Sequence, residues 1–472
     1  MPSHHDADHG DSHHDSESTP LLPRGIAHEG ESGRSGIHPT HFLRVTWRSS
    51  SNVSKYVNIL WPFVLVAIIL NFATNAPLWI FATSYIGMVP AANLLGFAGQ
   101  EFARKMPKVA GILIETTFGS IVEIILFIVL IAKHHVEEGN GDEGNLIPII
   151  QAAILGSILT NLLLCLGLCF LVGGLRQHTK NQKFHGIVSE VGSGLLLVAA
   201  FGLLIPSAFY SALKSETVKA LSEDFTTGKL HHDIVRISQM TSIVLMIAFV
   251  LYVVYCCTSA HSIFDEVIEM DEHGDLDHAE DMKKPKLTMT ETFVALGLSI
   301  AIVIVLLIIL VNQIEHVVES GVPDQFLGLI LLPLVEKAAE HLTAIDEAWD
   351  GVINVALYHC LGPSIQTALF NAPLVVLVGW VMGKPMDLNF EIFMIALLVL
   401  SILVVGNFLR DQESNWLEGS LLVIVYVIIA IASFYYPDPD VATSNGLEGL
   451  VQQNVTIPAE LYERLLALGV QK

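Results

Sequence analysis

Long apolar runs, separated by short polar connections, follow one another from residue 57 to residue 436. A helix of about 20 apolar residues crosses the ~30 Å hydrocarbon layer of a bilayer. The pattern therefore predicts an all-α polytopic membrane protein with about eleven transmembrane helices. The predicted spans are 57 to 73, 76 to 97, 109 to 132, 145 to 174, 185 to 212, 234 to 258, 288 to 312, 325 to 345, 351 to 382, 390 to 408 and 416 to 436.

An acidic segment, 259–287, divides these spans into two groups. Residues 57–258 are predicted to form a leading helix and a first five-helix repeat, and residues 288–436 a second five-helix repeat. Interrupted apolar segments at corresponding positions of two halves are typical of transporters built from inverted repeats. Outside the spans, residues 1–56 are expected to be a disordered His- and Ser-rich tail, and 437–472 a second tail.

Positive charge indicates the orientation, because cytoplasmic loops of membrane proteins carry an excess of Lys and Arg. These residues concentrate on the side of the N-terminus, which predicts a cytosolic N-terminus and a lumenal C-terminus. The linker stretch 264–281 would then be cytosolic, either as a solvated connection or as a segment that attracts cations. In the tail, Glu17, Leu21 and Leu22 resemble an acidic dileucine signal, which predicts a sorting adaptor as partner and a vacuole or another acidic organelle as destination.

Composition supports a membrane protein and excludes nucleic acid as a partner. The chain is 52% hydrophobic and only 15% charged, against roughly 25% charged residues in an average soluble domain. Its formal net charge of −23 would repel a polyanion, so the expected partners are membrane lipid and small inorganic cations. All the cysteines lie in apolar runs without zinc-finger spacing and are predicted to be buried and reduced; they are Cys165, Cys169, Cys256, Cys257 and Cys360.

Acidic side chains interrupt two otherwise apolar spans. Glu115 and Glu123 lie in the third predicted span, and Glu336 and Glu340 lie in the eighth, with Lys337 beside them. An ionised carboxylate in the membrane interior is costly unless a cation or a proton compensates it. A single glutamate of this kind could be structural, but glutamates in corresponding spans of two halves predict a shared site. Glu123 and Glu340 are the predicted metal ligands, and competition between metal and protons for them would be the exchange mechanism.

Neutral oxygen ligands stand on the spans that follow the acidic ones. Hard cations prefer oxygen ligands, so these side chains are candidates to complete the site. The same side chains also join helices by hydrogen bonds, and this alternative stays open for the amides. The candidates are Gln151, Ser157, Asn161, Ser364 and Gln366.

These motifs resemble the cation/proton exchangers of the calcium/cation antiporter superfamily over roughly residues 57 to 436. The resemblance rests on Gly119 to Glu123, Glu336 to His341, Gln151 to Ser157 and Ala372 to Trp380. It implies eleven helices, a vacuolar location in fungi and plants, and use of the proton gradient to load a cation, most often Ca²⁺, into the lumen. No resident cofactor is implied.

The motifs depart from the family pattern at their centres. Glu115 and Ser120 replace Asn residues, Glu336 and Lys337 replace Gly-Asn, and Pro363 replaces a Ser. If Lys337 faces the site, its charge offsets one carboxylate and favours Na⁺ or K⁺. If Lys337 pairs with Glu336, Ca²⁺ remains the expected ion. His341 and Lys337 are therefore predicted to modulate the site, and the sequence resembles a divergent fungal branch of the family.

Two other classes of function compete with exchange. The sequence lacks the His-Glu-x-x-His, Gly-x-Ser-x-Gly and P-loop patterns of common enzymes. A cation channel is the remaining alternative, distinguished by currents without coupled proton flux. The sequence predicts a secondary transporter rather than an enzyme.

Overall fold

The structure is a computed structural model. The predicted sorting signal, the tail beyond residue 436 and all of the acidic stretch 264–281 except Asp271 lie outside the residues that it describes. The described residues are 32, 36–49, 52–106, 108–134, 145–176, 181–213, 227–259, 271 and 285–436.

Helices make up nearly all of the described first half. A 3₁₀ turn, Asn58–Leu60, joins α2 to α3, and a π-helical turn, Thr160–Cys165, joins α6 to α7. Proline opens α1 and α4, where its missing N–H is not needed by the helix. The α-helices are α1 Pro39–Arg48, α2 Asn52–Val57, α3 Trp61–Ala73, α4 Pro77–Ala103, α5 Lys108–Lys133, α6 Ile147–Leu159, α7 Leu166–Arg176, α8 Gly186–Leu213 and α9 Thr227–Ser259.

The second half is also helical. It begins with a capping box in which Thr288 and Glu291 satisfy the first free N–H groups of α10. Two short antiparallel strands, β1 Gln182–Lys183 and β2 Glu413–Ser414, connect the halves at one end. The α-helices are α10 Met289–Val311, α11 Ile314–Glu319, α12 Asp324–Phe326, α13 Leu332–Glu336, α14 Ala338–Asp350, α15 Ile353–Gln366, α16 Ala372–Val381, α17 Ile392–Phe408 and α18 Trp416–Phe434.

Two spans of the second half are interrupted rather than continuous. A π-helical turn, Leu327–Leu331, precedes Pro333, and another, Thr367–Asn371, precedes Pro373. Proline lacks the N–H that an α-helix needs, so the preceding turn widens. A second break falls at Lys337, which separates α13 from α14. The predicted span 325 to 345 is therefore made of several pieces, and its break places Lys337 and Glu340 at the centre.

The polytopic helical membrane fold is confirmed. Among the described residues, eight helical segments are long and apolar enough to cross a membrane. Helices also occupy the other three predicted spans, but α5 and α13–α14 carry charged side chains and α17 is shorter. The total of eleven spans, the inverted order of the repeats and the domain boundaries stay predictions.

Glycines allow the two halves to pack backbone against backbone. A Cβ added to Gly156 on α6 would lie 2.7 Å from the carbonyl carbon of Leu329, and one added to Gly328 would lie 2.6 Å from Ala152 Cβ. Small residues permit such close helix contacts in membranes. The interrupted span of the second half therefore lies directly against the first half, beside the acidic residues.

Candidate functional site

Glu123 lies at the centre of the bundle and is held from three directions. Its side chain is fully buried on α5. Thr367 Oγ1 donates to its carboxylate at 2.9 Å, and Asn371 Nδ2 donates at 3.0 Å. Lys337 Nζ lies 3.0 Å from Glu123 Oε2. A buried carboxylate is tolerated when hydrogen bonds and a counter-charge replace its water, and Glu123 has both.

Glu340 has fewer bonding partners than Glu123. Its nearest charged partner is Lys337, with Nζ 3.6 Å from Oε1. Within the described part of the chain neither carboxylate oxygen has a hydrogen-bond partner, and 14% of the side chain is exposed. Of the two predicted metal ligands, Glu340 is thus the one whose carboxylate is not held by hydrogen bonds within the described chain.

Lys337 connects the two predicted ligands. Its ammonium group is fully buried and lies between the carboxylates of Glu123 and Glu340. Glu336 is also buried, but both of its oxygens lack a hydrogen-bond partner among the described residues. Of the two arrangements left open by the sequence, the structure has the one in which Lys337 faces the site, not the one in which it pairs with Glu336.

A pocket leads from Glu340 toward one end of the bundle. Its empty volume is about 440 Å³, and part of this volume is open. The wall includes Asn93 and Gln100 of α4, Glu115 of α5 and His359 of α15. Polar side chains from three helices therefore line a route to the free carboxylate, and Glu115 stands on this route rather than beside Glu123.

His359 joins two acidic residues on the pocket side of the site. Its Nδ1 lies 2.6 Å from Glu347 Oε2, and its Nε2 lies 3.4 Å from Glu115 Oε1. Which nitrogen carries a proton depends on the tautomer. An imidazole between two carboxylates is well suited to hold a proton, so this cluster lies where protons or cations would pass toward Glu340.

The other predicted site residues divide into those beside the site and those held elsewhere. His341 Nε2 lies 2.9 Å from Asn161 Oδ1, so both belong to one buried contact next to the glutamates. Ser157 is buried, and its hydroxyl lacks a partner within the described chain. Ser364 instead donates to the Cys360 carbonyl of its own helix at 2.9 Å.

Two predicted amide ligands have different positions. Gln151 Nε2 donates to Asp387 Oδ1 at 2.8 Å, so this amide joins α6 to the connection before α17 rather than reaching the glutamates. Gln366 is buried at the end of α15, one residue before Thr367. For Gln151 the structure supports the helix-joining role that amide side chains often have in membranes.

Sequence reasoning missed four residues of the site. Thr367 and Asn371 bind Glu123, while His359 and Glu347 form the cluster beside the pocket. A signal existed for the first pair, because polar residues four positions apart share one face of a helix. No such signal identified Glu347, because it lies after the end of the apolar run, in what the sequence predicts to be a polar connection.

The acidic linker contributes one described residue, Asp271, to the neighbourhood. Its carboxylate accepts from the backbone N–H groups of Asn354 and Val355 at 2.8 and 3.2 Å. Burial raises the pKa of Asp271 above its ordinary value, although these N–H donors oppose the rise. Asp271 thus satisfies free N–H groups at the start of α15, the helix that carries His359.

Gly119 gives Glu340 its space. A Cβ at this position would lie 2.8 Å from Glu340 Cδ. We expect Gly119→Ala to lower transport by about tenfold, because crowding of this kind costs about 1–3 kcal/mol and would displace the carboxylate. Proton-coupled uptake in sealed vesicles is the measurement. Gly297→Ala is the control, since nothing lies within 4 Å of its added Cβ; equal activity of the two variants would contradict this prediction.

Comparisons with known proteins place the chain in a family. A family model described as "Sodium/calcium exchanger protein" matches residues 76–258 and 291–435. The chain is 33% identical over 408 residues to Vacuolar cation/proton exchanger 2 of Arabidopsis thaliana, covering 85% of this chain and 87% of the relative. It is 32% identical over 364 residues to a Ca(2+)/H(+) antiporter of Aphanothece halophytica, covering 76% and 90%.

A solved structure agrees with the sequence comparisons. Native YfkE matches with a TM-score of 0.62 and 26% identity, over 80% of this chain and 100% of that one. The relatives are transporters, which confirms the prediction of a transporter rather than an enzyme. The matched regions contain both acidic motifs and the helices that form the pocket. The chain therefore belongs to the sodium/calcium exchanger protein family.

Proposed function

We propose that this exchanger moves a monovalent cation, Na⁺ or K⁺, in exchange for a proton, with Glu340 as the group that binds them alternately. The observation that carries the proposal is the position of Lys337 Nζ, 3.0 Å from Glu123 and 3.6 Å from Glu340. Lys337 occupies the space between the two carboxylates, which is where a divalent cation bound by both of them would lie.

The charge of the site supports one monovalent ion per cycle. Two ionised carboxylates and one ammonium group carry a net charge of −1. One proton or one monovalent cation at Glu340 neutralises this charge, whereas a divalent ion leaves a positive excess in a medium of low dielectric constant. Neither carboxylate oxygen of Glu336 has a hydrogen-bond partner in the described chain, so we expect Glu336 to hold a proton, because an unsatisfied ionised carboxylate is costly there. Exchange would then be electroneutral.

The pocket supplies the route for loading. Its wall includes Gln100 and Glu115, which lie near the end of the bundle where α4 ends and α5 begins. With the N-terminus in the cytosol, as the Lys and Arg distribution predicts, this end is cytosolic. A cation entering past Glu115 and His359 would replace the proton on Glu340. Movement of the two halves would then open the site to the other side, where an acidic lumen returns a proton to Glu340.

A Ca²⁺/H⁺ exchanger is the second candidate, because the relative from Aphanothece halophytica bears that name. Binding Ca²⁺ would require both Glu123 and Glu340 as ligands, since calcium takes several oxygens. Lys337 would have to leave Glu123 during each cycle. His341, Asn161, Ser157 and Gln366 would be the nearby neutral groups in either case.

The membrane is proposed to be that of a vacuole or another acidic organelle. The name of the Arabidopsis thaliana relative supports this location, and the predicted cytosolic dileucine pattern fits it. With this orientation the cation leaves the cytosol and the proton enters it. A fluorescent fusion that marks the plasma membrane alone would contradict the location.

Ion-dependent alkalinisation of acid-loaded vesicles tests the proposal. Purified full-length protein in sealed vesicles should raise the internal pH when Na⁺ or K⁺ is added outside, without a change in membrane potential. Ca²⁺ should give a response at least about tenfold weaker, which corresponds to 1.4 kcal/mol in favour of the monovalent ion. A larger response to Ca²⁺ would favour the second candidate, and a current that accompanies Na⁺ exchange would contradict the proposed one-for-one exchange.

A further inference from the structure

Three cysteine thiols meet in the buried interior of the bundle. Cys165 ends the π-helical turn that joins α6 to α7, Cys169 lies on α7, and Cys360 lies on α15. The Sγ atoms of Cys165 and Cys360 lie 3.5 Å apart, and those of Cys169 and Cys360 lie 3.9 Å apart. All three residues are fully buried and free. This cluster, the thiol cluster, belongs to neither the pocket wall nor the Lys337 ion pairs.

We infer that the thiol cluster binds a soft, thiophilic cation such as Cd²⁺ or Zn²⁺. Thiolates select such ions, whereas hard cations prefer oxygen. Zn–S bonds of about 2.3 Å place three sulfurs about 3.8 to 4.0 Å apart around one ion. The Sγ atoms of the cluster, all within 4.8 Å of one another, already have nearly this spacing. An ion could therefore enter with small side-chain movements.

Convergence of the two halves distinguishes this cluster from ordinary apolar packing. Buried cysteines alone are common, because a thiol behaves as a small hydrophobic group. Here two thiols stand four positions apart on one helical face, and the third reaches them from the other half of the chain. A disulfide would use two thiols and leave the third, whereas a metal ion uses all three.

An entry path lies close to the cluster. His359, the residue before Cys360, lines the pocket that leads to Glu340. The pocket and the thiol cluster therefore lie at the same level of α15. Binding would release the thiol protons, because the thiolate is the form that ligates a metal.

Occupancy would stop transport rather than support it. The bound ion would tie α6–α7 of the first half to α15 of the second half. Many transporters built from repeats work by movement of one repeat or helix bundle against the other. The thiol cluster is thus an inhibitory site for soft cations, separate from the carboxylates that carry the transported ion. Its binding test does not depend on which cation is transported.

Direct titration tests the inference. Reduced, full-length protein in detergent is titrated with CdCl₂ while the ultraviolet absorbance of thiolate-to-cadmium charge transfer is followed. We expect one ion per chain, and Cys165→Ser, Cys169→Ser and Cys360→Ser should each weaken binding by at least about 100-fold, since loss of a ligand exceeds the effect of losing an outer partner. Cys256→Ser is the matched control, because Cys256 is a buried, reduced cysteine that lies outside the cluster.

Transport provides the second readout. Micromolar Cd²⁺ should inhibit exchange by the wild type and by Cys256→Ser, and Cys360→Ala, which keeps a small apolar side chain, should resist it. Equal cadmium absorbance in Cys360→Ala and the wild type would overturn the inference, as would binding without thiolate absorbance. A Cys165–Cys360 disulfide found by mass spectrometry of the isolated protein would also overturn it. Failure of the proposed monovalent exchange would leave the cadmium titration unchanged.

Discussion

Glu340→Gln should abolish cation-driven proton movement in sealed vesicles. Glutamine keeps the shape of the side chain but cannot ionise. Glu340 lines the pocket and neither of its carboxylate oxygens has a hydrogen-bond partner among the described residues, so the variant loses the group for which we propose that cation and proton compete. We expect at least about a 100-fold loss of exchange, equivalent to roughly 3 kcal/mol of lost cation binding. The measurement is the rate of internal alkalinisation after addition of Na⁺ or K⁺.

Glu123→Gln should lower the rate of exchange to a similar extent, for a different reason. Glu123 holds the ammonium group of Lys337 and accepts from Thr367 and Asn371. Removing its charge leaves Lys337 to pair with Glu340 alone, and the free carboxylate is then neutralised. We expect lower affinity for the cation as well as slower exchange.

A control variant is needed to show that the loss of exchange comes from the site residues and not from the removal of any negative charge. Glu315→Gln removes one exposed acidic group from α11, on the short helix between two spans, and should exchange normally. Membrane insertion is checked by the amount of monodisperse protein in detergent. Substantial cation-driven proton movement in both Glu340→Gln and Glu123→Gln would contradict the assignment of these residues as the exchange site.

Lys337→Asn should shift selectivity toward divalent cations. The substitution changes the net charge of the two carboxylates and the lysine from −1 to −2 and restores an amide oxygen near them. Removing a unit charge at ~4 Å alters the energy of another charge by roughly 4 kcal/mol at an effective dielectric constant of about 20. The ratio of Ca²⁺ to Na⁺ transport should therefore rise by about tenfold or more. The measurement is vesicle alkalinisation with each ion at matched concentrations.

Two further variants identify the cause of the shift. Lys337→Met removes the charge without adding an oxygen. A similar rise in the ratio of Ca²⁺ to Na⁺ transport would show that the lost charge, and not the added oxygen, causes the change in selectivity. Lys105→Met is the matched control, because Lys105 is also a buried lysine, and its Nζ lies 3.8 Å from Glu101 Oε2 away from the site. Its selectivity should be unchanged. Transport by Lys337→Asn at the wild-type ratio of Ca²⁺ to Na⁺ would remove Lys337 from the selectivity mechanism.

The sequence by itself determined the polytopic membrane fold, and it identified Glu123 and Glu340 as candidate ligands, which stays a prediction. Apolar runs of membrane length are a local property, because each helix satisfies its own backbone hydrogen bonds. The identity of Glu123 and Glu340 followed in the same way, since a carboxylate within such a run is costly and is kept for a purpose. These conclusions needed no knowledge of how the helices pack.

Only the tertiary structure decided which groups meet. The helix break at Lys337 directs its ammonium group to Glu123 and Glu340, and sequence spacing could not distinguish this from pairing with Glu336. Gln151 was a predicted ligand from its sequence motif, but helix packing directs its amide to Asp387 instead of to the glutamates. Contacts between residues more than 200 positions apart depend on the packing of whole helices, and the close backbone approach at Gly156 contributes to that packing.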